Sequence, residues 1–378
     1  MRIAKKSPDI VFINQDAGYL MIDIINTYVE SGYSCSLITG RLVERSNPLH
    51  SSVKISKIIR YNRNSIFKRL FTWIWATFQI IILVKVKYRK SKLFIVSNPP
   101  LAPLVPLLAG NPYRILIFDI YPDAIIDSGL SSERSFFMRL WKNANSKAFK
   151  GAERIFTITD SMQEVLQNYA GNKPVEVIPM WTDNRFLRRV EPLDNPFLKN
   201  HNLEGKFVVL YSGNIGMTGQ VDTLLEIAEG FKRQDIAFLF IGEGAKKRWL
   251  EKRVTELALA NVIILPWQPA MELAYSLSSA SLAVVGIDQK ASRLAMPSKL
   301  LSYLSVGAPV LSLADVETDL AKFVSKYKVG YTFSPSQKNE TTKLIEWLMD
   351  NPDECRQLSR NALVASGEFT CANAMKFL

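Results

Sequence analysis

Short apolar runs alternate with helix-length amphipathic segments along the chain, and this pattern predicts a parallel α/β architecture. In the first half the runs cover residues 10–14, 34–39, 93–97, 113–118, 154–159 and 175–179. A strand–helix–strand sequence of this length forms a right-handed parallel unit. Ligands bind at the carboxyl ends of such strands, so the residues that follow each run are the expected place for chemistry.

A second series of apolar runs covers residues 207–213, 237–244, 261–267, 282–288 and 308–313. Residues 184–204 between the two series are polar, contain proline and lack a period, which indicates an interdomain linker. The prediction is two doubly wound Rossmann-like domains, one at 1–183 and one at 205–355. A C-terminal helix at 356–378 is expected to pack back on the first domain.

Length and composition agree with two well-packed domains. The 378 residues exceed one ordinary core, and hydrophobic residues make up 48% of the chain. The three cysteines have no metal-ligand spacing and only two histidines occur, so a reduced compartment without structural zinc or disulfides is predicted. Residues 1–13 lack the apolar region and cleavage site of a signal peptide and predict the first core strand instead.

The net charge of +12 is concentrated in one stretch, residues 45–118. No acidic residue occurs between Glu44 and Asp119, and the rest of the chain carries a net charge of −1. The thirteen cations of this basic segment are Arg45, Lys54, Lys57, Arg60, Arg63, Lys68, Arg69, Lys85, Lys87, Arg89, Lys90, Lys92 and Arg114. An acidic partner should face them. The segment has no nucleic-acid-binding module pattern, which disfavours a nucleic-acid partner.

An apolar stretch within this segment suggests a membrane surface as the partner. Its uncharged core, residues 70–84, is 15 residues long, below the roughly 18 needed to span a bilayer. Tryptophans and flanking cations suit a helix that lies in the membrane interface. The residues expected at this membrane or acceptor surface are Lys68, Arg69, Trp73, Trp75, Lys85, Lys87, Arg89 and Lys90. A buried crossover helix is the alternative, and part of the helix can pack on the sheet while its basic rim faces lipid.

Two glycine turns follow strands of the second domain. Gly213-Asn214-Ile215-Gly216 lies between a strand and a helix, where glycines let a phosphate approach the backbone and the free N–H groups of the helix. Gly242-Glu243-Gly244 closes the next strand. Neither matches the dinucleotide fingerprint or the P-loop, and for each a plain tight turn is the alternative.

The most informative segment is MPSKLLSYLSVGAPV at 296–310. Pro297 suits the first turn of a helix, and Ser298 can reach unpaired N–H groups or an oxygen ligand. Lys299 puts a cation beside the positive end of the helix, which is favourable only if an anion such as a diphosphate binds there. A surface helix with an incidental lysine is the alternative.

The ordered segments LYSGNIGMTGQVDTLLE, FLFIGEGAKKRWLE, NVIILPWQP and MPSKLLSYLSVGAPVL resemble glycosyltransferase family 4, and specifically its bacterial capsule, O-antigen and colanic-acid branch. FDIYPDAIIDSGL, ITDSM and VIPMWTDNRF in the first domain are similar to the same branch. The resemblance implies the GT-B fold, with two domains facing each other across a cleft. It also implies a nucleotide-sugar donor held by the second domain, a saccharide acceptor held by the first, and retention of anomeric configuration.

The sequence departs from the family in two places. Many members carry two glutamates eight positions apart, and Leu294 and Ser302 stand at the matching positions. The usual arginine and lysine after the first glycine turn are also not evident, with Asn214 and Thr218 in that region. The expected donor-binding residues are Gly213, Asn214, Gly216, Gly242, Glu243, Pro297, Ser298 and Lys299.

No DxD motif occurs, which predicts a metal-independent enzyme without a cofactor. Lys299 and helix N-termini would then neutralise the departing diphosphate. Asp119, at a strand end of the first domain, is the candidate that orients or deprotonates the acceptor hydroxyl. A role as an N-cap or turn residue is equally open for Asp119.

The leading hypothesis is therefore a glycosyltransferase of surface-polysaccharide synthesis, with a lipid-diphosphate-linked acceptor. It is expected in the cytoplasm, bound peripherally to the anionic inner face of the plasma membrane. A nucleotide-sugar 2-epimerase on the same fold is an alternative, although it does not need the basic, tryptophan-bearing segment. A non-catalytic nucleotide-sugar-binding scaffold is the other alternative, because the glutamate pair is absent.

Overall fold

The computed structural model describes residues 7–62 and 65–378. Arg63 of the basic segment and the first six residues of the predicted N-terminal strand region lie outside this part of the chain. Two compact units are present: the first runs to Trp181 and includes Cys371–Leu378, and the second is Thr182–Thr370.

The first unit contains a parallel sheet with strand order β5-β3-β1-β6-β7-β8-β9, and a small pair β2-β4 beside it. The strands are β1 (Ile10–Ile13), β2 (Asp16–Ala17), β3 (Cys35–Thr39), β4 (Arg41–Leu42), β5 (Lys54–Lys57), β6 (Lys92–Val96), β7 (Tyr113–Leu116), β8 (Arg154–Thr157) and β9 (Val175–Val177). Every residue of the central strand β1 is buried. Continuous apolar runs of this kind are typical of strands covered by helices on both faces.

The helices of the first unit connect these strands. They are α1 (Tyr19–Glu30), α2 (Ile66–Lys87), α3 (Val105–Ala109), α4 (Asp123–Asp127), α5 (Phe136–Gly151) and α6 (Asp160–Ala170). At the start of α2 the side chain of Ser65 accepts a hydrogen bond from the backbone N–H of Lys68, and Lys85 and Lys87 lie in its last turn. A side-chain N-cap and C-terminal cations both favour a helix.

The last eight residues pack into the first unit as a 3₁₀ turn, Cys371–Phe377. The Phe377 ring lies 5.0 Å from the ring of Phe156. Nη1 of Arg114 donates to the carbonyl oxygens of Phe377 at 3.0 Å and Leu378 at 2.8 Å. The segment predicted as one helix at 356–378 is thus divided: a helix, Pro352–Ser366, lies in the second unit, and only the final turn joins the first.

The second unit holds a parallel sheet with strand order β12-β11-β10-β13-β14-β15. Its strands are β10 (Phe207–Ser212), β11 (Ile236–Ile241), β12 (Val262–Leu265), β13 (Leu282–Gly286), β14 (Val310–Leu313) and β15 (Gly330–Phe333). Its helices are α7 (Pro196–Asn200), α8 (Val221–Gly230), α9 (Lys247–Glu256), α10 (Leu273–Ser278), α11 (Gln289–Ser292), α12 (Lys299–Ser305), α13 (Asp319–Tyr327), α14 (Lys338–Asp350) and α15 (Pro352–Ser366). From β10 the strands follow one another in chain order toward one edge of the sheet, and from β13 toward the other edge. Sheets of this type bind ligands where these two directions meet, between β10 and β13.

Residues 184–204, expected as a linker, belong to the second unit. Phe197, Leu198 and Leu203 are buried there. Asn195 caps α7, since its side chain accepts from the backbone N–H of Phe197 at 3.1 Å and donates to the carbonyl of Tyr275 at 2.9 Å. The short helix and the isolated apolar side chains explain why the sequence shows no period in this segment.

Candidate active site

Two glycine turns meet at the carboxyl ends of β10 and β11. The backbone N–H of Ile215, in the first turn, donates to the carbonyl of Glu243 in the second at 2.9 Å. The carbonyl of Ile215 accepts in return from the N–H of Lys246 at 3.0 Å. The two turns predicted from the sequence therefore form one layer at this edge of the sheet.

Close packing of the two turns requires glycine at Gly242. Its φ is +148°, and a Cβ there would lie 1.9 Å from the carbonyl oxygen of Gly213. No L side chain fits that distance without displacing the backbone. Gly242 is thus set by the contact between the turns.

Lys299, the first residue of α12, lies against the first turn. Its Nζ is 3.5 Å from the centroid of the Tyr211 ring, and a Cβ on Gly213 would lie 2.9 Å from its Cε. The ammonium is therefore held between an aromatic face and the glycine turn, an arrangement that attracts a cation to the ring. Burial of the ammonium lowers the pKa of Lys299 to about 7. Among the described residues, no carboxylate forms an ion pair with it.

Tyr303, one turn further along α12, fixes this helix to the end of β10. Its buried hydroxyl accepts from the N–H of Ser212 at 2.8 Å and lies 3.2 Å from the carbonyl oxygen of the same residue. On β10, the hydroxyl of Tyr211 donates to the carbonyl of Asn214 at 2.8 Å. Sequence reasoning missed both tyrosines as site-building residues, although Tyr211 directly precedes the glycine turn.

The structure shows the local environment of three other residues that were predicted for the donor site. Pro297 precedes α12 and does not lie in its first turn, and the side chain of Ser298 makes no capping hydrogen bond. The exposed Ser298 hydroxyl does not satisfy the N–H groups of the helix. The Glu243 carboxylate accepts a hydrogen bond from the ammonium of Lys247, four residues further along the chain, at 2.5 Å.

The second turn also brings cations that the sequence analysis did not single out. Lys246 follows Gly244 and forms an ion pair with Asp222, in the first turn of α8. Lys247 is mostly buried and pairs with Glu243. Each of these ammonium groups near the glycine turns is thus paired with a carboxylate.

Asp119 lies in the first unit, after the carboxyl end of β7, and is exposed. Its backbone N–H and that of Phe118 point toward the hydroxyl of Ser97, at 3.4 and 3.1 Å. Asp119 and Ser97 line one small cavity with Tyr121 and Asn145. The predicted aspartate thus lies at the edge of the sheet where ligands are expected.

Helix α2 has one face in the core and one apolar face exposed. Thr72, Trp73, Ala76, Thr77, Ile80 and Val84 are buried. The exposed apolar side chains are Ile66, Phe67, Leu70, Phe71, Ile74, Trp75, Phe78, Ile82 and Val86. On this face the rings of Phe71, Trp75 and Phe78 form a row, with centroids 6.4 and 5.5 Å apart. A surface helix normally turns its polar face outward, so an exposed aromatic row indicates a binding surface.

The expectation that Trp73 faces a membrane is wrong. Trp73 is 4% exposed and packs in the core, whereas Trp75 is 44% exposed. Two positions along a helix differ by about 200° around its axis, so only one of the two tryptophans can face outward. The guanidinium of Arg69 lies 5.0 Å from the Trp73 ring, on the inner side.

The exposed apolar surface extends beyond α2. Leu107 and Leu108 on α3, and Phe136, Phe137 and Leu140 on α5, are also exposed, and the three helices contact one another in sequence, α2 with α3 and α3 with α5. Lys68, Lys85, Lys87, Arg89 and Lys90 are exposed on or just beyond α2, as predicted. The ammonium of Lys87 donates to the hydroxyl of Ser56 at 2.8 Å.

Within the described residues, α2 alone has the length and the apolar composition of a membrane-spanning helix. In its most apolar stretch of 18 residues, 28% is buried in the protein. A buried core helix of a protein can have the same length and composition. Across residues 7–62 and 65–378, no group of three or more His, Cys, Asp or Glu side chains is placed to hold a metal ion.

Comparison with known proteins connects this geometry to an activity. Residues 195–364 match the family model described as glycosyl transferases group 1. The probable glycosyltransferase WbjE of Pseudomonas aeruginosa is 22% identical over 296 residues, which cover 77% of this chain and 74% of WbjE. The putative colanic acid biosynthesis glycosyl transferase WcaI of Escherichia coli K12 is 25% identical over 229 residues, which cover 59% of this chain and 56% of WcaI.

A solved structure, HepE (Alr3699) of Anabaena in complex with UDP-glucose, has the same fold. It superposes with a TM-score of 0.73 at 13% identity, with 98% of each chain covered. The predicted two-domain α/β fold of the GT-B type is confirmed. The chain therefore contains a glycosyl transferases group 1 domain on the GT-B fold, and it is a glycosyltransferase.

Proposed function

We propose that this glycosyltransferase takes a sugar from a nucleotide diphosphate donor bound at the glycine turns that follow β10 and β11. The observation that carries the proposal is the position of Lys299, whose ammonium lies between the Tyr211 ring and Gly213. A diphosphate at the first turn would meet this ammonium and the backbone of the glycine turn. The match to the group 1 family model covers this part of the chain.

Lys299 has the chemistry to stabilise the leaving group. Transfer of the sugar leaves its bonding electrons on the nucleotide diphosphate, whose negative charge increases in the transition state. A protonated lysine that faces this charge in a water-poor site stabilises the transition state without a metal ion. We therefore propose a metal-independent reaction of the family 4 type, which proceeds with retention.

Uridine diphosphate sugars are the first donor class to test. HepE has been solved with UDP and with UDP-glucose. At 13% identity this likeness concerns the fold, so the donor base and sugar of this chain form part of the proposal.

Asp119 is proposed as the group that orients the acceptor hydroxyl and takes its proton. It follows a strand of the first unit and is exposed beside a small cavity. A carboxylate within reach of the attacking hydroxyl raises the nucleophilicity of that hydroxyl as transfer proceeds.

The acceptor is proposed to be a saccharide on a lipid diphosphate, presented at the inner face of the plasma membrane. The exposed apolar face of α2 and its rim of lysines and arginine match an anionic bilayer surface. Because the opposite face of α2 packs in the core, with Ala76 and Ile80 fully buried, the helix would lie on the membrane and not cross it. WcaI is named for colanic acid biosynthesis.

A donor screen by thermal shift tests the proposal. UDP-, GDP-, ADP- and dTDP-sugars are added to the wild-type protein, and the nucleotide that raises the Tm is then added to Lys299→Ala. Saturation at about 100 times the Kd stabilises the folded protein by about 2.7 kcal/mol, which is readily measured. We expect one nucleotide class to shift the wild type and to shift Lys299→Ala much less.

Lys326→Ala is the matched control. Lys326 also lies over a tyrosine ring, that of Tyr327 at 5.0 Å, but on the exposed helix α13. Its loss should leave the nucleotide shift unchanged. No shift with any nucleotide sugar, or equal shifts in both lysine variants, contradicts the proposed donor site.

A further inference from the structure

Asn145 is a buried polar residue in the middle of α5 with half of its hydrogen-bonding capacity unused. The side chain is 2% exposed. Its Nδ2 donates to the carbonyl of Tyr121 at 2.6 Å, but Oδ1 is buried and has no hydrogen-bond partner. Since a buried acceptor without a partner costs free energy, a hydrogen-bond donor such as a water molecule is expected beside Oδ1.

The same amide lines the cavity beside Asp119. Ser97, Asp119, Tyr121 and Asn145 contribute its polar walls, and Ile117 and Phe149 are among its apolar ones. The space open to the centre of a water molecule is about 10 Å³, close to the minimum that a single water needs. A sugar ring does not fit in this cavity.

The polar groups around the cavity suit one water molecule. The hydroxyl oxygen of Ser97 accepts from the N–H groups of Phe118 and Asp119, which leaves its hydrogen to donate. A water that accepts from Ser97 can donate one hydrogen to Asn145 Oδ1 and the other to the Asp119 carboxylate. This gives it three partners, the usual number for a buried water.

We propose that Asn145 positions Asp119 through one water molecule bound in this cavity. The inference rests on the proposed role of Asp119 toward the acceptor. The water fixes the orientation of the carboxylate from its inner side, and Asn145 fixes the water. Asn145 is thus a positioning residue: it touches neither the donor nor the acceptor.

A double-mutant cycle between Asn145→Ala and Asp119→Asn tests this coupling. The readout is nucleotide release from the donor that the screen selects, with polyprenyl diphosphate-linked N-acetylglucosamine as acceptor. We expect Asn145→Ala to lower kcat about tenfold, the loss of one well-formed hydrogen bond in the transition state, with the donor KM unchanged. In the Asp119→Asn variant, the additional Asn145→Ala substitution should lower kcat no further, because Asn145 acts only through the Asp119 carboxylate.

Trp141→Phe is the matched control. Trp141 lies one turn before Asn145 on α5, stacks on Tyr121 at 6.3 Å, and also has a buried polar atom, Nε1, without a partner. Phenylalanine keeps the stacking, so kcat should not change. If Asn145→Ala does not fold, the nearly isosteric Asn145→Leu removes the same oxygen without leaving a large void and carries the same expectation.

The outcomes separate this inference from the proposed function. If Asp119→Asn leaves kcat unchanged, the role of Asp119 fails. If Asp119→Asn lowers kcat but the Asn145 effect is additive to it, only the inference fails. A high-resolution crystal structure decides without any activity: a water bonded to Asn145 Oδ1 and Asp119 supports the proposal, and a protein partner for Oδ1 overturns it.

Discussion

The hydroxyl of Tyr303 lies within hydrogen-bond distance of both backbone polar groups of Ser212, 2.8 Å from its nitrogen and 3.2 Å from its carbonyl oxygen. Ser212 ends β10, and Tyr303 lies in α12, the helix that begins at Lys299. One side chain therefore fixes the distance between the glycine turn and the lysine that would share the diphosphate. The geometry of the donor site depends on this contact as well as on the residues that touch the ligand.

Tyr303→Phe should weaken both the fold of the second unit and donor binding. The substitution preserves the buried ring but leaves the N–H of Ser212 without its partner, which costs about 1–3 kcal/mol. We expect a lower midpoint of urea unfolding and a smaller nucleotide-dependent Tm shift. Tyr331→Phe is the control, since the Tyr331 hydroxyl bonds to Glu354 at a partly exposed site. Equal unfolding midpoints for wild type and Tyr303→Phe would contradict the prediction.

Gly242→Ala should abolish the donor site. The new Cβ would overlap the carbonyl oxygen of Gly213 at 1.9 Å, and φ is +148° there, so the two turns must separate. Displacement of packed backbone costs about 3 kcal/mol or more, which lowers the Tm by several degrees and removes the nucleotide shift. Gly230→Ala, at the end of α8, places its Cβ in open space and should leave both quantities within error. Retained nucleotide binding by Gly242→Ala would exclude these turns as the donor site.

Donor affinity should fall as the pH rises above 7. Burial lowers the pKa of Lys299 to about 7 in the free protein, and a bound diphosphate favours the protonated form and raises that pKa. Below pH 7 the lysine is already charged and affinity is flat. Above pH 7 binding must take up a proton, so the Kd rises by up to tenfold per pH unit.

Calorimetry in two buffers of different ionisation enthalpy measures this proton uptake directly. Lys299→Arg, which stays protonated throughout, should bind without proton uptake and with a pH-independent Kd. Uptake that is equal in wild type and Lys299→Arg would show that another group titrates.

The succession of strands along the chain and the two glycine turns could be predicted, because residues close together in the sequence determine each of them. Apolar runs bounded by glycine or polar residues predicted both ends of β10 and the start of β11 to within one residue, and the end of β11 to within three. Strands β5 and β15 were missed. Both lie at sheet edges. Neither forms an apolar run, because β5 begins and ends with lysine and β15 is only half-buried.

The parts of the site that were missed depend on contacts between distant residues. Tyr303 and Ser212 are 91 positions apart, and nothing in either segment indicates the pairing. The orphaned oxygen of Asn145 likewise becomes visible only when α5 packs against the loop at Tyr121. Trp73 and Trp75 were both assigned to one surface, although side chains two positions apart along a helix point in nearly opposite directions. Which of the two faces is buried depends on how the helix packs.

Substitutions on the exposed face of α2 should release the protein from anionic membranes without affecting its fold. Phe71→Ser with Phe78→Ser removes two of the three rings of the exposed row. Each buried aromatic side chain contributes about 1.5–3 kcal/mol to transfer from water, so the pair should weaken partitioning at least a hundredfold. Sedimentation with phosphatidylglycerol-containing and pure phosphatidylcholine vesicles measures the effect, and the Tm should be unchanged.

Ile55→Ser and Leu193→Ser, which remove exposed apolar side chains elsewhere, provide the control and should sediment like wild type. Vesicle binding that persists in the double phenylalanine variant would exclude this face as the membrane-binding surface. Binding that is independent of lipid charge would contradict the preference for anionic lipid.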